Sequence, residues 1–491
     1  MNRKPYKDFV SADSTKLFAE KTGSKGRAYL LWGDGVRLLG GKGNGRVEVK
    51  ARGMTGWVEE KDLGGKSLLE VYFIDVGQGD GVLIKTPDFR HIMIDGGNPR
   101  ANQNTGKNAA DFVDWKFAKD YGQSTIELDA MIASHNDFDH YGGLSDLLDV
   151  EQNHELDAKS IELDAFYHAG LSWWSIKDKR TLGPTTKSGG REYYTKLIDN
   201  RASAKRAFDG DSTGQLQGAW GEFIGRVLKS RRSDGGYTSF ARLSHRSGFL
   251  PGFEADKDGP SIRVLGPVDA TVSGNAVLPK FKSDSTTTNG NSVLLRLDYG
   301  RTRILLTGDL NTESQNLLLQ TFEGNRLEFQ CDVTKGCHHG SDDVSFSFLQ
   351  AMGASATVIS SGDSEGHDHP RPRIVAASGA TGHLTVDKDK IITPLVYSTE
   401  LARSTSLGTP TAVSFGTQKL KGEAVRRIEV EYEEKVGLTK RKGVRTLNGA
   451  CVVAGLIYGL VNVRTDGNRI VTATLNEGKS TWTVRSFNSR F

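Results

Sequence analysis

The chain has 491 residues, 36% of them hydrophobic and 25% charged, with a formal net charge of +4 at neutral pH. That length exceeds one ordinary core and implies two or three units, and the composition suits a soluble globular protein. The 58 glycines are scattered rather than periodic and prolines number only 12, which excludes collagen-like and low-complexity chains and points to tight turns between strands. Three cysteines, Cys331, Cys337 and Cys451, make no disulfide framework, and the odd count argues for a reducing compartment. Met1-Asn-Arg-Lys-Pro-Tyr-Lys-Asp8 has no apolar core of a signal peptide, and the most apolar stretch, Ala450 to Val463, is too short and Gly-interrupted to fill a bilayer, which needs about 20 residues. A cytoplasmic protein with no membrane partner is therefore expected.

Residues 1–66 read as a separate small unit. Arg27 to Leu39 is strand-like and ends in the turn-rich Gly40-Gly-Lys-Gly-Asn-Gly45, and Arg46-Val-Glu-Val-Lys-Ala51 and Gly56-Trp57-Val58-Glu59 follow. Short strands with Gly turns predict a small all-β barrel. The Gly-Asp-x-Val run and the later Gly-Trp-Val resemble bacterial SH3-like domains, which implies a positioning module and a protein partner. The segment lacks histidine and cysteine, so the chemistry is expected elsewhere.

Residues 67–491 read as a second unit. Leu68 to Val76 is a strongly apolar run leading into Gly77-Gln78-Gly79-Asp80, and strands are expected at Gly81–Thr86 and His91–Ile94, the latter ending at Asp95-Gly96-Gly97. A helical stretch is expected over Lys107–Tyr121, then a buried strand at Leu128–Ala133. That strand delivers Ser134-His135-Asn-Asp137-Phe-Asp139-His140, and Gly142-Gly143-Leu144 is expected to open a helix. Residues 150–257 are expected to form a helical insertion, a candidate lid, on the apolar spacing around Phe223-Ile224 and Val227-Leu228. From Leu171 to Leu250 there are 15 Lys/Arg against 7 Asp/Glu, a local +8 that suggests either an anionic substrate or a solvated helical surface. Within it, His168 follows a strand-like run and is a candidate pocket residue. Further strands are expected at Ile262–Leu265, Ser292–Leu297, Arg303–Thr307, Cys331–Thr334 and Ala356–Ser360. A hairpin is expected over 458–475 around Asp466-Gly467. The stretch from Leu384 to Lys442 gives no assignment, and His91, His154, His245 and His383 read as packed or surface residues.

His135, Asp137, Asp139 and His140 crowd imidazole and carboxylate into six positions. A loop leaving a strand can point alternate side chains one way, so His135, Asp137 and Asp139 can converge while His140 turns to a second point. Ile304-Leu-Leu-Thr-Gly308-Asp309 places another carboxylate at a strand end, where it can bridge two metals or cap the helix that Leu310-Asn-Thr-Glu313 could start. His338 or His339 completes the set. If the backbone there is extended, neighbours point oppositely, which favours His338 as ligand and leaves His339 against substrate. Cys337 reads as a small strand residue or a metal ligand. Two cations about 3.5–4 Å apart can trap a bridging hydroxide at neutral pH.

The order Phe73-Ile-Asp75-Val-Gly77-Gln-Gly79-Asp80, Ile94-Asp95-Gly96-Gly97, Ser134-His-x-Asp-x-Asp-His140-x-Gly-Gly143, Leu306-Thr-Gly308-Asp309 and Lys335-Gly-Cys-His338-His339-Gly340-Ser341 resembles the metallo-β-lactamase superfamily, in particular the hydrolase domain of the ComEC DNA-uptake channel and its stand-alone relatives. The resemblance covers about residues 68–375 and implies an α/β fold, a four-layer αβ/βα sandwich with metals at the sheet edge. It implies that His135 and Asp137 hold one metal, Asp139 and His140 the other, and that Asp309 bridges. Asp75, Asp80 and Asp95 would lie behind the ligands. Asp at position 137, where His is commoner, makes the site richer in oxygen and admits manganese beside zinc. Asn289-Gly-Asn291-Ser292 stands where many relatives carry a third-motif His, so Asn291 and Ser292 are candidates to contact substrate. In Asp368-His369-Pro370-Arg371-Pro372, His369 matches a family position and Arg371 replaces a second His, which suits a phosphate. Lys335 matches a family lysine that could neutralise phosphate.

The expected activity is a two-metal phosphodiesterase or nuclease in which a bridging hydroxide attacks in line, Asp139 serves the centre, and His339, Lys335 or His369 stabilise charge. Single-stranded DNA or RNA is the expected partner, held by the basic insertion and its paired aromatics. The alternatives are hydrolysis of a lactone, thioester or phosphocholine ester on the same centre, or a non-catalytic sensor.

Overall fold

The computed structural model describes residues 4–103, 106–255, 259–362, 369–399, 404–436, 439–448, 452–457, 460–476 and 481–491. Met1–Ala402 together with Tyr458–Phe491 form one compact unit, and Arg403–Ile457 form another. Among the described residues no helix is long and apolar enough to cross a membrane.

The larger unit is organised by two sheets. One has nine strands in the order Ser239–Arg242, Ala165–His168, Ala130–Ala133, His91–Ile94, Val82–Lys85, Leu69–Ile74, Leu460–Thr465, Arg469–Asn476 and Thr481–Asn488. The other has six, in the order Ser261–Gly266, Leu294–Tyr299, Thr302–Leu306, Val333–Lys335, Ala356–Ile359 and Leu395–Ser398. All six residues of Leu69–Ile74 are buried, because both faces of that strand are covered. Its alternate residues Leu69, Val71 and Phe73 join Ile304, Val333 and Val358 in a shared apolar core, while Tyr72 and Ile74 pack on the opposite face with Phe112, Phe117 and Leu144 from helical segments. Leu318, Phe348 and Ile374, from three helices, cover the outer face of the six-stranded sheet. Period-2 burial of this kind makes a pair of sheets face to face with helices outside each. Parallel pairing carries Ala130–Ala133 beside both His91–Ile94 and Ala165–His168, so several strand ends deliver their following loops to one edge.

The N-terminal residues form a six-stranded sheet with its own core of Val10, Leu17, Leu30, Val36, Val47 and Val49. Buried charge ties it to the nine-stranded sheet. Glu70, Lys85 and Arg464 stand directly opposite one another on three neighbouring strands, and Arg464 reaches Asp34 of the N-terminal sheet at 2.7 Å and the Trp32 carbonyl at 2.6 Å.

Two expectations are corrected. The 150–257 insertion is mixed rather than helical: alongside the helices Arg201–Asp209 and Gly218–Lys229 it contains eight strands, and Ala165–His168 and Ser239–Arg242 finish the edge of the nine-stranded sheet. Short apolar runs buried on both faces leave no period by which to tell strand from helix. The helix expected to open at Gly142 begins at Phe138 instead. The hairpin around Asp466-Gly467 forms and pairs antiparallel beside Leu69–Ile74, with residues 458 and 459 outside the described set. Among its described residues the second unit has three antiparallel pairs, the longest joining Arg427–Val436 to Thr439–Asn448, and a short helix at Glu423–Arg426.

Candidate metal centre

Strand Ala130–Ala133 is followed by Ser134 and His135, both buried. Asp137 has extended backbone and precedes the helix Phe138–Leu147, but its side chain caps no backbone N–H and instead accepts from Thr288 Oγ1 at 3.0 Å. Asp139 and His140 therefore sit in the first helical turn, not on an extended loop, and the roughly 100° rotation per residue swings His140 fully inward. Its Nε2 lies 3.2 Å from Asp309 Oδ2, and its Nδ1 lies 2.9 Å from Asp95 Oδ2. Tight packing requires glycine close by: at Gly79, with φ +111°, a Cβ would collide with the Asp139 carbonyl.

Asp309 follows strand Thr302–Leu306 and does not cap the next helix, whose cap is Asn311. Its Oδ2 meets His339 Nε2 at 2.9 Å, and Oδ1 meets Lys335 Nζ at 3.4 Å. The expectation that His338 is the inner histidine is corrected. His338 and His339 both adopt left-handed backbone, with φ of 46° and 51°, so the opposite facing of extended neighbours does not apply. His339 is buried against Asp309 and Asp80, while His338 keeps 25% of its side chain exposed and lies 3.9 Å from Asp309.

Four groups place ligand atoms within 4.8 Å of one another: His135, His140 and Asp309; Asp139, His140 and His339; Asp80, Asp309 and His339; and Asp80, Asp95 and His140. Sharing of His140, His339 and Asp309 among them makes one contiguous centre. Asp137 lies at its margin, 3.7 Å from His135 Nε2. His135 Nε2 is buried with no hydrogen-bond partner among the described residues, while Nδ1 is held by Ser134 Oγ at 3.1 Å and Ser292 Oγ at 3.2 Å. A buried imidazole nitrogen aimed into a cluster of carboxylates, with its other nitrogen fixed from behind, fits a divalent-cation ligand.

Electrostatics agree. Burial would raise Asp309, but His339, His140 and Lys335 hold its carboxyl well below the usual range. Burial opposes a charged His339, yet Asp309 and Asp80 push it up to about 10. Burial likewise opposes charge on His140, and Asp309, Asp95 and Asp139 push it well above the ordinary value. Burial, assisted by Asp139, pushes Asp137 up to about 7, and burial next to His140 holds His135 well below its usual value. A divalent ion held here would displace protons from these imidazoles and supply the positive charge that the carboxylates favour.

The remaining expected residues divide by position. Asp80 belongs to the centre, paired with Lys335 and 3.3 Å from His339 Nδ1. Asp95, at φ +55°, orients His140 and also accepts the Ser134 N–H at 2.7 Å. Asp75 Oδ1 accepts the Gly77 N–H at 3.0 Å and shapes that loop. Lys335 is corrected from a phosphate contact: it is 2% exposed and donates to the Gly308 carbonyl at 2.8 Å besides its two carboxylates, so its charge is spent inside the protein. Asn291 and Ser292 are corrected from substrate contacts, being buried. Asn291 Nδ2 donates to the Pro279 and Thr287 carbonyls, and Ser292 Oγ accepts the Asp309 N–H at 3.0 Å. His168 is corrected as well: it is 1% exposed, bonds the Ile198 carbonyl through Nε2 at 3.0 Å and packs against Phe240, and burial holds it down at about 4. His369 brings its ring to 6.0 Å from that of His338, and the Arg371 N–H donates to the Gly340 carbonyl at 2.9 Å, while Asp368 lies outside the described residues. Cys337 is buried in the outer apolar core and belongs to none of the four ligand groups.

Three contributors were not anticipated. Thr288 holds Asp137, Asn289 Nδ2 lies 3.3 Å from His338 Nε2, and Gln78 Nε2 donates to Asp139 Oδ2 at 3.3 Å. Gln78 and Asn289 lie within segments singled out in the sequence, but amides and hydroxyls carry no ligand chemistry that would mark them.

Comparison with known proteins places this geometry. Over 100 residues the chain is 28% identical to ComE operon protein 3 of Bacillus subtilis (strain 168), and over 83 residues it is 36% identical to Competence protein ComA of Neisseria gonorrhoeae. These matches cover 20% and 17% of this chain and 12% of each relative, so only a small part of either protein is shared. Among solved structures, a mutant of CmlA beta-hydroxylase superposes with a TM-score of 0.28 at 9% identity, covering 65% of this chain and 51% of that one. The family model of the metallo-beta-lactamase superfamily matches residues 74–325, a span that begins just before Asp75 and contains His135, His140 and Asp309. With half its length under that model, the chain belongs to the metallo-beta-lactamase superfamily.

Proposed function

We propose that this superfamily hydrolase is a two-metal phosphodiesterase acting on nucleic acid. The observation that carries the reading is the overlap of ligand groups on His140, His339 and Asp309, with His135 on one side and Asp139 and Asp80 on the other. Such sharing suits two neighbouring cations, zinc or manganese, better than one. The cations would supply Lewis acidity at a phosphate oxygen and ionise water near neutral pH. The chain's own residues do the rest. Asp95 holds the proton on His140 Nδ1 and leaves Nε2 toward Asp309, and Ser134 and Ser292 hold His135 from behind. Lys335 fixes Asp80 and Asp309, and Thr288 fixes Asp137. His338, with Asn289 beside it, and His369 form the lip where substrate would meet the centre.

Similarity to two competence proteins and the basic 171–250 segment support a nucleic-acid substrate. The N-terminal sheet, read as SH3-like, would serve as a positioning module toward a protein partner. The test is turnover of bis-p-nitrophenyl phosphate and of a single-stranded oligonucleotide with zinc or manganese. We expect cleavage of both, abolished by Asp309→Asn. Cleavage of lactones or thioesters alone would overturn the reading.

A further inference from the structure

The hairpin made by Trp174–Ile176 and Lys179–Thr181 lies in the insertion, and the residue just before it touches the His135–His140 segment. Trp173 Nε1 donates to the carbonyl of Asn136, between His135 and Asp137, at 3.1 Å. The Arg180 guanidinium sits over the Trp173 ring, 3.9 Å from its centroid. Arg180 is opposite Ser175 in the ladder and thus diagonal to Trp173, the arrangement in which long side chains meet across two strands. The turn between the strands is Lys177-Asp178, both left-handed at φ 51° and 58°. Left-handed backbone at both positions is the usual geometry of a two-residue hairpin turn.

Arg180 is exposed and makes no ion pair among the described residues. It lies close enough to the Tyr141 hydroxyl to oppose the field that Asp137 exerts there. Between Asp137 and Asp139, Phe138 leaves 38% of its surface exposed, with its ring edge-on to Tyr141. A planar cation held over an indole and an exposed aromatic face thus flank the rim of the centre. Arg in such a pose presents a rigid fork matched to phosphate oxygens, and aromatic faces stack bases of any sequence.

The geometry points to Arg180 as the residue that grips a backbone phosphate of single-stranded nucleic acid next to the scissile bond, with Trp173 positioning it and Phe138 stacking the adjoining base. This rests on the phosphodiesterase reading and adds its substrate contact. The test compares wild type with Arg180→Ala, Arg180→Lys and Lys187→Ala, using a short oligo-dU and the matching oligo-U in the metal-loaded protein. Lys187 is an exposed residue on a different hairpin of the insertion and controls for diffuse charge. For Arg180→Ala we expect KM to rise roughly tenfold, and the slope of log affinity against log salt to fall by about 0.7. Arg180→Lys should recover part of the affinity, because charge returns without the fork. Equal effects on dU and U would show phosphate and base face as the recognised features, and an effect on one alone would mean that sugar contacts dominate and overturn the assignment. Loss in Lys187→Ala as large as in Arg180→Ala, or wild-type affinity in Arg180→Ala, overturns it while leaving the hydrolase reading in place. A wild-type protein that cleaves neither oligonucleotide nor bis-p-nitrophenyl phosphate overturns both.

Discussion

Replacing Asp95 with Asn tests whether the centre depends on a carboxylate behind its histidine. Asp95 is 1% exposed and divides its oxygens between His140 Nδ1 at 2.9 Å and the Ser134 N–H at 2.7 Å. Asn keeps the size and one acceptor, so the Ser134 N–H stays satisfied, but the partner of His140 becomes neutral. A hydrogen bond to a charged group is worth about 1.5–3 kcal/mol against about 1 kcal/mol for a neutral one. The difference, about 0.5–2 kcal/mol, corresponds to roughly 2- to 30-fold in affinity. That overlaps the 10- to 100-fold loss, about 1.4–2.8 kcal/mol, typical when the partner of a metal-ligating histidine is changed. The assay is titration of metal-free protein with manganese or zinc against a competing chromophoric chelator, with circular dichroism confirming that the variant is folded. Affinity within about twofold of wild type in a folded variant would refute the argument, because His140 would then need no carboxylate to hold its tautomer.

Other expectations follow from the same geometry. His339→Ala should lower bound metal per chain more than His338→Ala, as measured by elemental analysis after dialysis, because only His339 is buried against Asp309 and Asp80. Asp137, raised to about 7, and His339, raised to about 10, both favour their protonated forms in the metal-free fold. Their contributions to stability are complete below the unfolded values and fade as pH rises through the folded ones. Metal binding needs those protons removed, so the rise in Tm caused by manganese should grow between about pH 6 and pH 9 in melting experiments. Arg464→Met should cost no more than about 3 kcal/mol in denaturant unfolding, since it removes one of the two cations that face each of the buried carboxylates of Asp34 and Glu70. Part of that cost is offset by Arg52 at 2.8 Å from Asp34 and Lys85 at 2.7 Å from Glu70. His168→Phe should lower stability without changing turnover, as its ring packs in the core and away from the ligand groups.

The sequence alone determined the chemistry of the loops. Imidazole and carboxylate at 135–140, an aspartate at the end of an apolar run at 309 and the His338-His339 pair are local features, and the strands that carry them read correctly from short buried runs. What local pattern could not supply was orientation. The left-handed turn at 338–339 depends on the close packing of Gly340 against Pro370 and Ile359, contacts between distant segments. It reverses which histidine faces inward. In the same way, only the three-dimensional neighbours of Lys335, Asn291 and Ser292 show that the Lys335 ammonium, the Asn291 Nδ2 and the Ser292 hydroxyl are engaged inside the protein, and only the pairing of Ala165–His168 with Ala130–Ala133 shows that His168 is core. Residue identity fixes what a side chain can bind, because that is a property of its atoms. Which partner it meets is decided by burial, where every polar group must find a mate among segments far away in the chain.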